Sequence, residues 1–268
     1  MIQWVLEKGD CMRFVVVDRQ DANSKRVSQQ IKEKCIAHDW ILDEKKPDIL
    51  FSVGGDGTLL RAIHSYVDRL DSMSFVGIHT GTLGFLTDYT QEELDTFLLD
   101  VFKQEPEIEE FPMLEITLPQ DKQTYYAFND ARIASLDRTI SLDVYIDGEL
   151  FERTTGSGIC ISTQYGSTAI NRALSGAVVD PGLQVLQLTE IMPVTHKHHH
   201  SLGNPYIMKE DRKILVEGKD LHLAYLSYDH LNIELEKIHQ IQIGTSTKKV
   251  RFARYRTYSY LKRLKNLY

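Results

Sequence analysis

The sequence predicts an α/β domain followed by an all-β domain. Two observations carry this. Over the first hundred residues, short β-branched runs alternate with stretches of helical periodicity, as in a parallel sheet covered by helices (residues 1–105). After Glu105-Pro106 the helical pattern stops and alternating segments dominate (residues 106–249), which reads as two packed sheets.

In the first region Met12-Arg13-Phe14-Val15-Val16-Val17-Asp18 has the β-branched content of a buried parallel strand. From Asp21 to His38 the period is helical, with Val27, Ile31, Cys35 and His38 near one face. Trp40-Ile41-Leu42 is a short apolar piece, and Asp48 to Val53 is a buried strand. Gly57 to Asp68 reads as a helix with Leu59, Leu60, Ile63 and Val67 inward. Ser74 to His79 is another strand, and Gln91 to Phe102 another helix. In the second region Asp147-Gly148 is a hairpin signal between two alternating segments. Further strands are expected at Gly158–Ser162, Ile214–Val216, His222–Ser227 and Ile238–Ile243. A helical interruption is expected from Gly166 to Leu174, and a final strand and helix from Val250.

Hydrophobic content of 42% and charged content of 26% are those of a globular protein. A net charge of −7 argues against nucleic acid or an anionic membrane as partner. From Lys248 onward there are eight Lys or Arg and no Asp or Glu, which reads as a solvated basic face. Cys11, Cys35 and Cys160 are too few and too scattered for disulfides or a zinc site, so each reads as a small buried apolar residue. With no signal pattern and no apolar run long enough for a bilayer, the expected location is the cytoplasm.

The chemistry centres on Ser52-Val53-Gly54-Gly55-Asp56-Gly57-Thr58, where a strand turns into a helix. Such a turn aims backbone N–H groups at whatever lies above it, and glycine lets a phosphate approach closely. Asp56 repels a phosphate unless it takes a proton, holds a cation or orients a hydroxyl; the plainer reading is a helix cap. A second glycine turn, Gly81-Thr82-Leu83-Gly84-Phe85-Leu86, follows the next strand at the same sheet edge, where ligands of parallel sheets sit.

Taken in order, Gly54-Gly55-Asp56-Gly57-Thr58, Gly81 to Leu86, Phe128-Asn129-Asp130 and Gly166-Ser167-Thr168-Ala169 resemble the NAD kinase family. Leu188-Thr189-Glu190, Gly203-Asn204-Pro205, Asp229-His230 and Phe252 to Arg256 look like its short bacterial members. The resemblance implies a Rossmann-like parallel α/β domain over 1–105, completed by 250–268, and a β-sandwich over 106–249 that builds a homotetramer. It implies transfer of phosphate from ATP, with Mg²⁺ or another divalent cation, to the 2′-hydroxyl of the adenosine ribose of NAD. Asp56 matches the catalytic aspartate, and no protein ligand set for a metal is expected. Gly55, Gly57 and Thr58 would address donor phosphates, Asn129 and Asp130 an adenine or ribose diol, and Thr168 and Ala169 a flat base. Phe85 would wall the base pocket and His230 would stand near the reacting phosphate. Ser157, Ser167 and Ile170 complete the nucleotide-side set. Inorganic polyphosphate stays open as donor.

The chain departs from the family at four places. Gly156-Ser157-Gly158 replaces Gly-Asp-Gly, Gln164-Tyr165 stands where Pro-Ser or Pro-Thr is usual, Ile170 replaces a Tyr, and Ala173 replaces a Ser. Losing a charge-assisted hydrogen bond at Ser157 costs about 1.5–3 kcal/mol, one to two decades of NAD affinity. These departures leave open a non-catalytic NAD(P)-binding or regulatory protein, and the glycine motif alone leaves a lipid kinase. His196 to His200 reads as a polar loop near a subunit interface rather than a metal site.

Overall fold

Most of the expected elements form in the computed structural model, which describes residues 11–81, 84–195 and 201–265; the strand expected at His222–Ser227 starts only at Tyr225, because Leu221–Leu223 is a 3₁₀ turn. In chain order they are β1 (Arg13–Asp18), α1 (Ala22–Ile36), β2 (Ile41–Leu42), β3 (Ile49–Val53), α2 (Asp56–Ser65), β4 (Ser74–His79), β5 (Tyr89–Thr90) and α3 (Leu94–Lys103). Then come β6 (Glu107–Leu118), β7 (Gln123–Ala127), β8 (Asp130–Ala134), β9 (Ile140–Ile146), β10 (Glu149–Gly156) and β11 (Gly158–Thr163). They continue with α4 (Ile170–Ala173), β12 (Val185–Ile191), β13 (Tyr206–Lys209), β14 (Ile214–Glu217), β15 (Tyr225–Tyr228), β16 (Leu231–Glu234), β17 (Gln240–Arg254) and α5 (Tyr260–Leu264). The chain divides into two units. One runs to Phe111 and resumes at Lys249; the other is Pro112–Lys248.

The first unit is a parallel sheet in the order β17 (its C-terminal part), β4, β3, β1, β2, with β5 beside the end of β4. All five residues of β3 are buried, as a strand covered on both faces requires. Asp21 caps α1 by accepting the Ser24 N–H at 3.0 Å, and Val27, Ile31 and Cys35 face the core. His38 leaves that face because α1 ends at Ile36; its ring stacks on Phe102 with centroids 4.1 Å apart. Cys35 and Cys160 are buried as expected, but Cys11 is exposed, one residue before the core-facing run begins.

The basic tail is solvated only in part: Lys249, Lys262 and Lys265 are exposed, but its arginines turn inward. Arg254 is 5% exposed and holds both oxygens of buried Asp88 at 2.8 and 2.7 Å, with Glu109 at 2.8 Å on its Nε. Arg263, also 5% exposed, donates to the Thr87 carbonyl at 2.8 Å, and Arg256 forks onto Glu93 at 2.7 and 3.0 Å. These arginines fix the C-terminal segment to the stretch after β4.

The second unit is a β-sandwich. One sheet runs β13-β12-β11-β8-β15-β16; the other holds β10-β9-β14 and the first part of β17, with β6 pairing β7. Inward residues of both sheets, among them Leu142, Val144, Val216 and Ile241 from one and Ile133, Ile159, Ile161 and Leu226 from the other, share one core. Asp147 (φ 52°) and Gly148 (φ 86°) form the hairpin turn between β9 and β10. The interruption after β11 is a 3₁₀ turn, Gly166–Thr168, followed by α4. The runs Ile238–Ile243 and Val250 onward are one fifteen-residue strand, β17, because the Gly244–Thr247 connection holds no proline and continues extended. Among the described residues no helix is long and apolar enough to cross a bilayer.

Breaking one side of the Asp88–Arg254 pair strands a buried charge, at a cost of about 3–5 kcal/mol. Arg254→Met is therefore expected to lower the urea-unfolding free energy by that amount. The double variant Asp88→Leu with Arg254→Met should recover part of it.

Candidate active site

Asp56 opens α2 immediately after the glycine turn, but its side chain does not cap that helix. It reaches across to the loop after β4. Its Oδ2 accepts the Phe85 N–H at 2.8 Å and its Oδ1 the Leu86 N–H at 3.0 Å. The approach is so close that a Cβ on Gly84 would lie 2.2 Å from Oδ1, so only glycine fits there. The carboxylate and the second glycine turn are thus one construction. Gly54 is also obligatory: φ is +156° and a Cβ would meet the Thr58 hydroxyl at 2.4 Å. Gly57 is not constrained by protein atoms, since nothing lies within 4 Å of its Cβ position. Thr58 is buried, with Arg61 donating to its Oγ1 at 3.4 Å, so the hydroxyl braces the turn from behind.

Phe85 is half-buried with its ring 5.6 Å from that of Tyr260, and the Tyr258 hydroxyl donates to its carbonyl at 2.7 Å. His79, which the motif reading passed over, ends β4 beside Gly55. Its Nδ1 accepts the Gly81 N–H at 2.7 Å, which puts the neutral ring's proton on Nε2, the atom turned toward Gly55. Burial lowers its pKa, partly offset by Asp56. The signal for it in sequence was its place at the C-terminal end of a parallel strand. Thr82 and Leu83 of the second turn lie outside the described residues.

In the second unit two sequence motifs interlock. Asp229, at φ 53°, accepts the N–H groups of Phe128 and Asn129 at 2.7 Å each and that of Asp130 at 3.3 Å. Thr163 donates to the Phe128 carbonyl at 2.8 Å and accepts the Gly166 N–H at 3.2 Å. A Cβ on Gly166 would lie 2.0 Å from the Asn129 carbonyl, so the second motif packs directly on the first. The Asn129 carboxamide is half-exposed and has no hydrogen-bond partner among the described residues. Thr168 and Ala169, which follow Gly166 and Ser167, are half-buried, Ile170 is exposed, and His230 is exposed in the turn after β15.

Two residues differ from their expected setting. Ser167 is fully buried: its hydroxyl donates to the Gln164 carbonyl at 2.6 Å and accepts the Val179 N–H at 3.0 Å, so it holds the loop from inside. Asp130 is not a plain acceptor. Burial pushes its carboxyl up to about 7, with Asp229 adding to the shift and Arg132, 2.9 Å away, opposing it. Ser157, where an aspartate is usual, is half-buried with its Oγ 3.8 Å from the Met192 sulfur. His196 to His200 lie outside the described residues.

A glycine turn at the C-terminal edge of a parallel sheet, with a carboxylate held over it, defines a phosphate-handling protein of the phosphotransferase class. Residues 3–106 match the model of the ATP-NAD kinase N-terminal domain and residues 130–255 that of the C-terminal domain. An NAD kinase of Geobacillus stearothermophilus is 36% identical over 257 residues, covering 94% of this chain and 95% of that one. An NAD kinase of Shouchella clausii is 36% identical over 264 residues, covering 96% and 99%. An NAD kinase from Archaeoglobus fulgidus solved in complex with ATP superimposes with a TM-score of 0.74 at 27% identity, covering 96% and 97%. Yeast NADH kinase complexed with NADH shares the fold, with a TM-score of 0.80 at 20% identity over 96% and 86%. The chain belongs to the NAD kinase family and is a phosphotransferase.

Gly84→Ala pushes Asp56 off its two N–H donors. A misplacement within the candidate site costs on the order of 100-fold in rate, and kcat for NADP formation should fall accordingly while the thermal midpoint of the second unit's unfolding is kept. Asp130, its value raised on folding, keeps protons through a window in which the unfolded chain has lost them. Its contribution to stability is therefore complete below the ordinary carboxylate range and declines as pH rises toward about 7. Asp130→Asn should flatten the slope of urea-unfolding free energy across that window.

Proposed function

We propose that the chain transfers the γ-phosphate of ATP to the 2′-hydroxyl of the adenosine ribose of NAD, giving NADP, with Asp56 as the base or orienter of that hydroxyl. The observation that carries the reading is the fixed carboxylate. Each oxygen accepts one backbone N–H and keeps a second lone pair, so a hydroxyl can donate to it without disturbing its mooring. As the ribose oxygen attacks, its proton passes to this carboxylate. The open space over Gly57 suits a phosphate, and the Nε2–H of His79 adds a donor beside Gly55. The Asn129 carboxamide, with both donors and an acceptor to offer, suits adenine or the ribose diol, and Thr168 and Ala169 flank a flat base. Phe85 contributes an aromatic wall and His230 an exposed imidazole at the turn after β15.

The family implies Mg²⁺ with the nucleotide. Such a cation is commonly carried by phosphate oxygens and water, with few protein ligands. That cation would neutralise phosphate charge. ATP as donor is supported by the archaeal relative solved with it. Assembly into a homotetramer through the second unit and a cytoplasmic location complete the reading. Ser157 supplies no charge to the nicotinamide side, so a raised KM for NAD is expected.

The four departures at Ser157, Gln164-Tyr165, Ile170 and Ala173 favour one other reading, a protein that binds NAD(P) without turnover. A coupled assay of NADP formation from NAD and ATP separates the two. Asp56→Asn should lower kcat about 10²–10⁴-fold with NAD binding retained. If the unaltered chain makes no more NADP than this variant, the binding-only reading stands.

A further inference from the structure

The first unit holds a second concavity, at the edge where β3 and β4 begin, opposite the end carrying the glycine turn. Its volume is about 390 Å³. Ile49, Val101, Ala253 and Tyr255, all buried, line its depth. The sides are aromatic: Phe102 meets Trp40 edge-on at 5.5 Å and carries the His38 ring stacked at 4.1 Å. Flat rings gain most from such walls.

Two polar features give the cavity chemical direction. Ser74, at the first position of β4, lines it with a fully buried side chain whose Oγ has no hydrogen-bond partner among the described residues. A buried hydroxyl in that condition carries an unmet desolvation cost, which a donor on a bound molecule removes. The charged lining residues are Asp39 and Glu105, both exposed, and no Lys or Arg is among the described lining residues. That rim attracts a cation and disfavours an anion. A concave, mainly apolar site with a few convergent polar groups is the usual form of a small-molecule pocket.

We propose that this cavity is a second binding site, taking a flat aromatic ring with a ring N–H and a short aminoalkyl cation. The ring lies along Trp40 and Phe102, the N–H donates to the Ser74 Oγ, and the ammonium stays at the rim with Asp39 and Glu105. Neither ATP nor NAD, both net anions bearing linked phosphates, matches this chemistry, so the site is independent of the transfer reaction.

Tryptamine is the probe, titrated calorimetrically into the full chain. A second readout is alkylation of Cys11 by N-ethylmaleimide: Cys11 lines the cavity and is exposed, whereas Cys35 and Cys160 are buried. The expected result is saturable 1:1 binding that slows Cys11 alkylation and is not displaced by ATP or NAD. Indole-3-acetate, the same ring with a carboxylate, should bind at least about tenfold more weakly. Ser74→Ala should weaken tryptamine about five- to tenfold, the loss of one hydrogen bond. Asp39→Asn with Glu105→Gln should erase the preference over indole-3-acetate; asparagine tolerates the positive φ of 63° at that position. The proposal is overturned by no saturable binding, by equal binding of the two indoles, or by displacement with ATP or NAD. Binding seen only after removal of residues 1–10 also overturns it, since the chain's own N-terminal segment would then be the occupant.

Discussion

The Asp56 carboxylate resting on the N–H groups of Phe85 and Leu86 is the contact on which the rest of the first unit depends. A side chain at the start of a helix has several rotamers, and a reacting group needs one. Two charge-assisted hydrogen bonds select it. That choice fixes the path of the loop after β4, which must pass so near Asp56 that residue 84 has no room for a side chain. The loop is held in turn from its far side. Tyr258 takes the Phe85 carbonyl, Arg263 the Thr87 carbonyl and Arg254 the Asp88 carboxylate. Burying this much charge is costly unless every partner is present. The C-terminal segment is therefore the fixed frame behind the Asp56 carboxylate and its loop.

The second unit uses the same device for a different end. Asp229 gathers three consecutive N–H groups at Phe128, Asn129 and Asp130 and so sets the backbone from which the Asn129 carboxamide projects. Three aspartates near the proposed nucleotide sites thus do three jobs. Asp56 is moored but retains free lone pairs, Asp229 is spent on backbone, and Asp130 sits beside Arg132 with a carboxyl titrating near neutrality. Charge alone does not tell them apart; burial and the donors each one meets do.

That distinction marks what the sequence could carry. Periodicity located the strands and helices of both units, since buried parallel strands and amphipathic helices announce themselves over several residues, as at Val15–Val17 and Val27–Ile31–Cys35. The glycine motifs were legible because steric demand at Gly54, Gly84 and Gly166 is local and absolute. Partners distant in the chain were not. The tail arginines read as solvated because nothing in their own stretch names Asp88, Glu93 or Glu109. Ser167 read as a ligand contact because its inward bonds to Gln164 and Val179 follow from a loop shape that composition does not encode. The break expected within β17 failed for a related reason, since a polar connection of Thr and Ser extends as readily as it turns.

Strand β17 begins in the second unit and ends in the first, and this orders events during synthesis. The first unit is made from the two ends of the chain. Asp88 emerges from the ribosome 166 residues ahead of Arg254, with which it finally pairs. The second unit, by contrast, is one uninterrupted stretch that ends at Lys248, so all of its strands, the first part of β17 included, have emerged before that moment. The Asp56 carboxylate thus acquires its backing only when translation is nearly done. A nascent or prematurely released chain can carry a finished sandwich and still lack a competent phosphotransfer centre.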